Sequence, residues 1–126
     1  MIEPLRAGDE FLKDVRKVRS HKEGGSDLWW LGQSGFLLHY RRHFLLLDPY
    51  LSDSLTTKYA RTDKPHVRMT RRVVDPAQLG FVHVVTSSHN HTDHLDAETI
   101  LPMRDGLLKL KDFPGEIGGS GETLPE

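Results

Sequence analysis

Three short apolar runs crowd into residues 28–47, and this segment limits the possible folds more than any other part of the chain. Leu28-Trp29-Trp30-Leu31 is broken by Gly32-Gln33-Ser34-Gly35. Phe36-Leu37-Leu38-His39-Tyr40 and Phe44-Leu45-Leu46-Leu47 then flank Arg41-Arg42-His43. Runs of this length with turn residues between them read as strands, the last two joined as a hairpin. The all-apolar third run predicts a strand buried on both faces. It stops at Asp48-Pro49, because proline has no amide hydrogen to offer a ladder. Phe81 to Val85 reads as a further strand, and Ala97 to Met103 as a helix with Asp96 as its N-cap.

Residues 1–25 read as a leading amphipathic helix. Asp9 is placed to cap it, and Phe11, Leu12, Val15 and Val18 fall at i, i+1, i+4 and i+7, one helix face wide. Lys17 and Arg19 suit its C-terminal end, and Gly24-Gly25 ends it. Residues 26–110 are expected to form the main domain. Within it, residues 50–80 carry no clear period, and a loop of that length is functional or disordered. Leu107-Leu108-Lys109-Leu110 is the last apolar run, and residues 111–126, rich in glycine and proline, are expected to be a disordered tail.

Composition narrows the function classes. A chain of 126 residues suits one domain, and 28% charged residues with a net charge of −1 argue against wholesale disorder. A general nucleic-acid binder is markedly basic, so no nucleic-acid partner is expected. The absence of cysteine excludes disulfide scaffolds and thiol catalysis. No apolar run approaches the ~20 residues of a membrane span, and the N-terminus has no signal-peptide core. The expectation is a cytoplasmic protein with no membrane partner. Lys58, Arg61, Lys64, Arg68, Arg71 and Arg72 outnumber Asp53, Asp63 and Asp75 locally. That balance suits a small anionic or phosphorylated substrate, although charge runs more often simply face water.

The chemistry concentrates in Ser88-His89-Asn90-His91-Thr92-Asp93-His94. In extended backbone, residues i, i+2 and i+4 point the same way, so His89, His91 and Asp93 line one side and His94 is directed differently. Imidazole and carboxylate suit Zn²⁺, and also Mn²⁺ or Fe²⁺. A catalytic ion keeps a position open for water, so two adjacent ions sharing the loop fit these four donors better than one. His83, two residues before Val85, reads as a packed or hydrogen-bonded strand histidine. His21, His39, His43 and His66 are isolated and read as ordinary.

Strand, then His-x-His-x-Asp-His, then helix resembles the metal-binding signature of the metallo-β-lactamase superfamily. Trp30-Leu31-Gly32-Gln33-Ser34-Gly35-Phe36, Leu46-Leu47-Asp48-Pro49-Tyr50 and Ser88 to Asp96 are similar to the branch that contains ascorbate-6-phosphate lactonase. The resemblance covers roughly Trp29 to Met103. It implies that His89 and His91 hold a first metal, that Asp93 and His94 hold a second, and that Asp93 also orients or deprotonates the attacking water. It implies that Asp48 buttresses the metal loop; read from the residues alone, Asp48 serves equally well as a turn cap before Pro49. The Gly32-Gly35 turn would lie near the same face, though by itself it reads as a plain tight turn.

The expected fold class is α/β (α+β): the N-terminal half of an αββα sandwich, a mixed sheet flanked by helices. The family's remaining ligands would follow position 103, and no histidine lies beyond His94. The resemblance therefore implies a truncated metal-dependent hydrolase, lactonase or phosphoesterase-like, with two divalent ions in the complete fold. A homo-oligomer or a missing C-terminal half would complete it. The alternative is a catalytically inactive half-domain that binds metal weakly or acts as an oligomerising or interaction module.

Overall fold

The computed structural model describes residues 1–19 and 25–103, which form a mixed α+β arrangement built on one four-stranded sheet. Strands β1 (Ser26–Gly32), β2 (Gly35–Tyr40), β3 (His43–Leu47) and β4 (Val84–Thr86) lie in that order across it. β1, β2 and β3 run antiparallel to their neighbours, whereas β4 pairs parallel with β3. A parallel pair needs a long crossover, and the segment between Asp48 and His83 supplies it. The β2–β3 turn is Arg41-Arg42, both at positive φ (49° and 76°), the signature of a type I′ hairpin.

Alternation along the strands divides the sheet into two unlike faces. Leu31, Leu37, Phe44 and Leu46 are fully enclosed on one side. There they meet Phe11, Leu12 and Val15 of α1 (Asp9–Arg19), together with Leu51, Val73, Val74, Leu79, Val82, Ile100 and Met103. Enclosing a leucine of this kind contributes roughly 1.5–3 kcal/mol, so these side chains hold the helices to the sheet. On the other side Leu28 pairs with Leu38 and Leu38 with Leu45, yet Leu28 is 61% exposed and Trp30 45%. β3 is therefore central in the sheet but enclosed unequally on its two faces: Phe44 and Leu46 are buried, Leu45 and Leu47 half-buried. An apolar run reports a central strand without reporting how thickly each face is covered.

Other boundaries shift for local reasons. The first carbonyl to accept in α1 is that of Gly8, from Leu12 N at 3.0 Å, so Asp9 lies in the first turn and not at the cap. A carboxylate there still complements the helix dipole. Phe81 and Val82 turn into the sheet before β4 begins at Val84. The predicted helix over 97–103 splits into α3 (Ala97–Ile100) and a 3₁₀ turn (Leu101–Met103), because Pro102 cannot donate an α-type bond.

Residues 50–80 are packed at both ends, while 57–65 lie exposed between them. They contain α2 (Ser54–Tyr59) and a 3₁₀ turn (Pro76–Leu79), capped where Asp75 accepts from Ala77 N at 3.0 Å. Tyr50, Leu51 and Leu79 are completely enclosed. The helix end expected at Gly24, the run at residues 107–110 and the tail at 111–126 lie outside the described residues. No helix among the described residues is long and apolar enough to cross a membrane.

Candidate metal centre

The loop from Ser87 to Leu95 leaves the C-terminal end of β4 and enters α3. Two bonds to the His91 carbonyl, from His94 N (2.9 Å) and Leu95 N (2.8 Å), curl it into a tight turn. His89 and His91 are exposed, and Asp93 and His94 are half-buried. One ligand atom from each of His89, His91 and Asp93 falls within 4.8 Å of the others. The three residues therefore converge, but through this turn and not through the alternation of an extended strand. His94 stands beside them: its ring centre is 3.9 Å from that of His89, and its Nε2 is 3.4 Å from Asp93 Oδ2.

Asp48 organises this loop from the end of β3. Its backbone is left-handed (φ 44°), and its amide continues the β3–β4 ladder by donating to Thr86 O at 2.9 Å. The carboxylate accepts the Ser88 amide and the Ser88 hydroxyl, both at 2.6 Å, and faces His94 Nδ1 at 2.8 Å. Burial works to raise its pKa, but the Ser88 donors and His94 outweigh it and hold the carboxyl below its ordinary value. Asp48 is thus an ionised acceptor at neutral pH, bonded to Ser88 and His94 of the histidine loop.

Donor–acceptor accounting then assigns the imidazole protons. An ionised carboxylate only accepts, so His94 presents a proton on Nδ1 to Asp48, while its Nε2 faces the Asp93 carboxylate. Ser88 has one hydroxyl proton, and it is directed to Asp48. Towards His89 Nδ1, 3.0 Å away, Ser88 Oγ must therefore accept. His89 is then also protonated on Nδ1 with Nε2 bare. Metal-ligating histidines characteristically donate their other nitrogen in this way, which fixes both tautomer and ring orientation. The donor types and the convergence of His89, His91 and Asp93 fit a divalent cation.

Two further residues complete the arrangement. Ser34, in the turn between β1 and β2, donates to the Asp93 carbonyl at 3.0 Å, so that turn is a tether for the metal loop. Asp96, 1% exposed, does not cap α3 with its side chain. Its carboxylate accepts from Ser52 (2.6 Å), Ser54 (2.9 Å) and Thr99 (2.5 Å), tying the crossover to the loop's exit. Ser34 and Ser88 are not candidate residues on sequence grounds. A hydroxyl immediately before the first histidine is the one available signal, and it is a weak one. His83 lies just before β4, accepts Phe44 N–H at 3.0 Å through Nδ1, and stands apart from the cluster.

Compared with known proteins, the chain matches no family, no curated protein and no solved structure.

Proposed function

We propose that the chain is a metal-dependent hydrolase centre of metallo-β-lactamase type, the first half of an αββα sandwich, acting on a small anionic lactone or phosphoester. The observation that carries this reading is the convergence of His89, His91 and Asp93 on a loop whose imidazole protons are set by Asp48. His89 and His91 would hold one divalent ion and Asp93 with His94 a second; zinc suits this donor set best, and manganese or iron also fit. Such ions supply Lewis acidity, making water a nucleophile near neutral pH and stabilising negative charge on the substrate.

The chain's own residues supply the rest. The Asp93 carboxylate orients the attacking water and accepts its proton. His94 is held on the Asp48 side of Asp93 and keeps that carboxylate in place. Asp48 and Ser88 prevent either histidine from turning its proton-bearing nitrogen into the centre. Four side chains are few for two ions, so further donors would come from a second copy or from sequence outside the described residues.

A second reading is supported by the exposed Leu28 and Trp30 on the more open sheet face. There the chain is an inactive, weakly metal-binding module that associates through that face. Turnover separates the two. Hydrolysis of phosphorylated lactones or phosphodiesters, lost in His91→Ala and on chelation, is expected of the hydrolase. Turnover unchanged by that substitution would remove the site assignment, and metal binding without turnover would leave the module.

A further inference from the structure

Residues 66–70 have an inverted amphipathic pattern. Their exposure alternates as in an extended strand, and Thr70 forms a β-bridge with Ile2. Alternate residues of such a segment share a face. The apolar residues point out, with Val67 72% and Met69 52% exposed, while His66, Arg68 and Thr70 turn inwards. Buried faces are ordinarily apolar, and buried polar atoms ordinarily find partners. Here each inward residue brings one that does not: His66 Nδ1, Arg68 Nη2 and Thr70 Oγ1 are buried without a hydrogen-bond partner among the described residues.

Arg68 is the decisive member. It is 5% exposed, and its guanidinium lies 4.9 Å from the centre of the fully enclosed Tyr50 ring. Nε donates to Thr70 O (3.0 Å), and Nη1 to Tyr50 O (3.3 Å) and Ser52 O (2.7 Å). These hydrogen-bond partners are neutral carbonyls; Asp53 and Tyr50 favour the charge from further off and Arg72 opposes it, and Nη2 is left without a hydrogen bond. His66 packs edge-on against the same tyrosine, with ring centres 5.8 Å apart. A buried charge is costly unless it is paired. An oxyanion would supply what Asp53 does not, acceptor oxygens for Nη2 and the Thr70 hydroxyl.

We propose that the inward face of His66, Arg68 and Thr70 is an oxyanion-binding site for the carboxylate or phosphate of a small ligand. The segment adjoins the metal loop: Met69 N donates to Gln33 Oε1 at 2.6 Å, and the next residue, Ser34, holds Asp93. The inference thus deepens the hydrolase reading by giving the substrate's anion a seat, and it rests on that reading only for what the anion is attached to. The three atoms are shut off from solvent, so an ion enters as the segment opens.

The test uses the full chain stripped of metal with a chelator, titrated with inorganic phosphate, acetate or chloride. NMR follows the Arg68 Nε–H and the His66 ring in the unaltered protein, so the readout survives any variant that fails to fold. Saturable shifts with half-saturation near ~1 mM, and a rise of a few degrees in Tm, are expected with phosphate or acetate but not chloride. Saturation by phosphate assigns a phosphoryl ligand, and saturation by acetate alone assigns a carboxylate. His66→Gln should weaken binding about tenfold, and Thr70→Val several-fold. Without anion, Thr70→Val should unfold no more easily, because its hydroxyl has no partner to lose. Shifts that fail to saturate, or that chloride reproduces, would overturn the site. Because metal is absent throughout, a chain that binds phosphate but never zinc keeps this site and loses the hydrolase reading.

Discussion

Asp48 Oδ2 and His94 Nδ1 lie 2.8 Å apart although 46 residues separate them in sequence. Through this contact the last residue of one strand's ladder sets an acceptor against a histidine of a distant loop. The same carboxylate reaches His89 through the Ser88 hydroxyl. Asp48→Asn tests the point. Asparagine tolerates the left-handed backbone that Asp48 adopts, so the fold should persist. Its amide cannot accept all three donors, and metal affinity should fall about 10–100-fold. Competition with a chromophoric chelator measures it, and an unchanged affinity would show that Asp48 does not set the tautomers.

His91→Ala separates binding from folding. His91 is exposed, so removing it should change metal-free stability by no more than about 0.5 kcal/mol while lowering metal affinity strongly. Urea unfolding with and without chelator reads both quantities. A large loss of metal-free stability would make His91 a structural residue.

Gly32→Ala should be destabilising by at least about 2 kcal/mol. Gly32 has φ 90°, and a Cβ there would come within 1.8 Å of Thr70 Oγ1. Thr70→Ala removes the hydroxyl but leaves Cβ of residue 70 at 3.0 Å and the backbone strain in place, so the double variant should recover only part of the loss. Thermal unfolding of the three variants checks it, and full recovery would assign the whole cost to the collision.

His83 makes stability depend on pH. Its burial, followed by His43 and Arg19, holds its pKa below the ordinary 6.5, and in the neutral form its Nδ1 accepts the Phe44 amide. The unfolded chain therefore binds a proton more readily than the folded one just below pH 6.5. Stability is full above that value and falls as the pH drops from 6.5 towards the lower folded pKa. His83→Gln, whose amide oxygen can take the same N–H, should flatten this part of the profile. Urea midpoints at pH 7.5 and 5.5 for both proteins decide it; equal slopes would rule His83 out.

What was legible in the chain was whatever depends on near neighbours. The β2–β3 hairpin follows from two apolar runs flanking Arg41-Arg42-His43, although His43 itself joins β3, and the density of His89, His91 and Asp93 marks the loop whose turn brings them together. Contacts between distant segments leave no period. Ser52 meets Asp96 across 44 residues, and Arg68 reaches the Tyr50 carbonyl across 18. The same blindness made residues 50–80 look structureless and His66 look ordinary. It also hid the difference between the two faces of β3, since an apolar run carries no record of how much chain remains to cover it.

The most direct test of the central claim is the metal content per chain. It is measured by elemental analysis of a gel-filtered peak purified without added metal, for the unaltered protein and for His91→Ala. The proposed centre predicts between one and two divalent ions per chain, falling towards zero in the variant. Little or no metal in either, with no uptake when zinc is supplied, would contradict it.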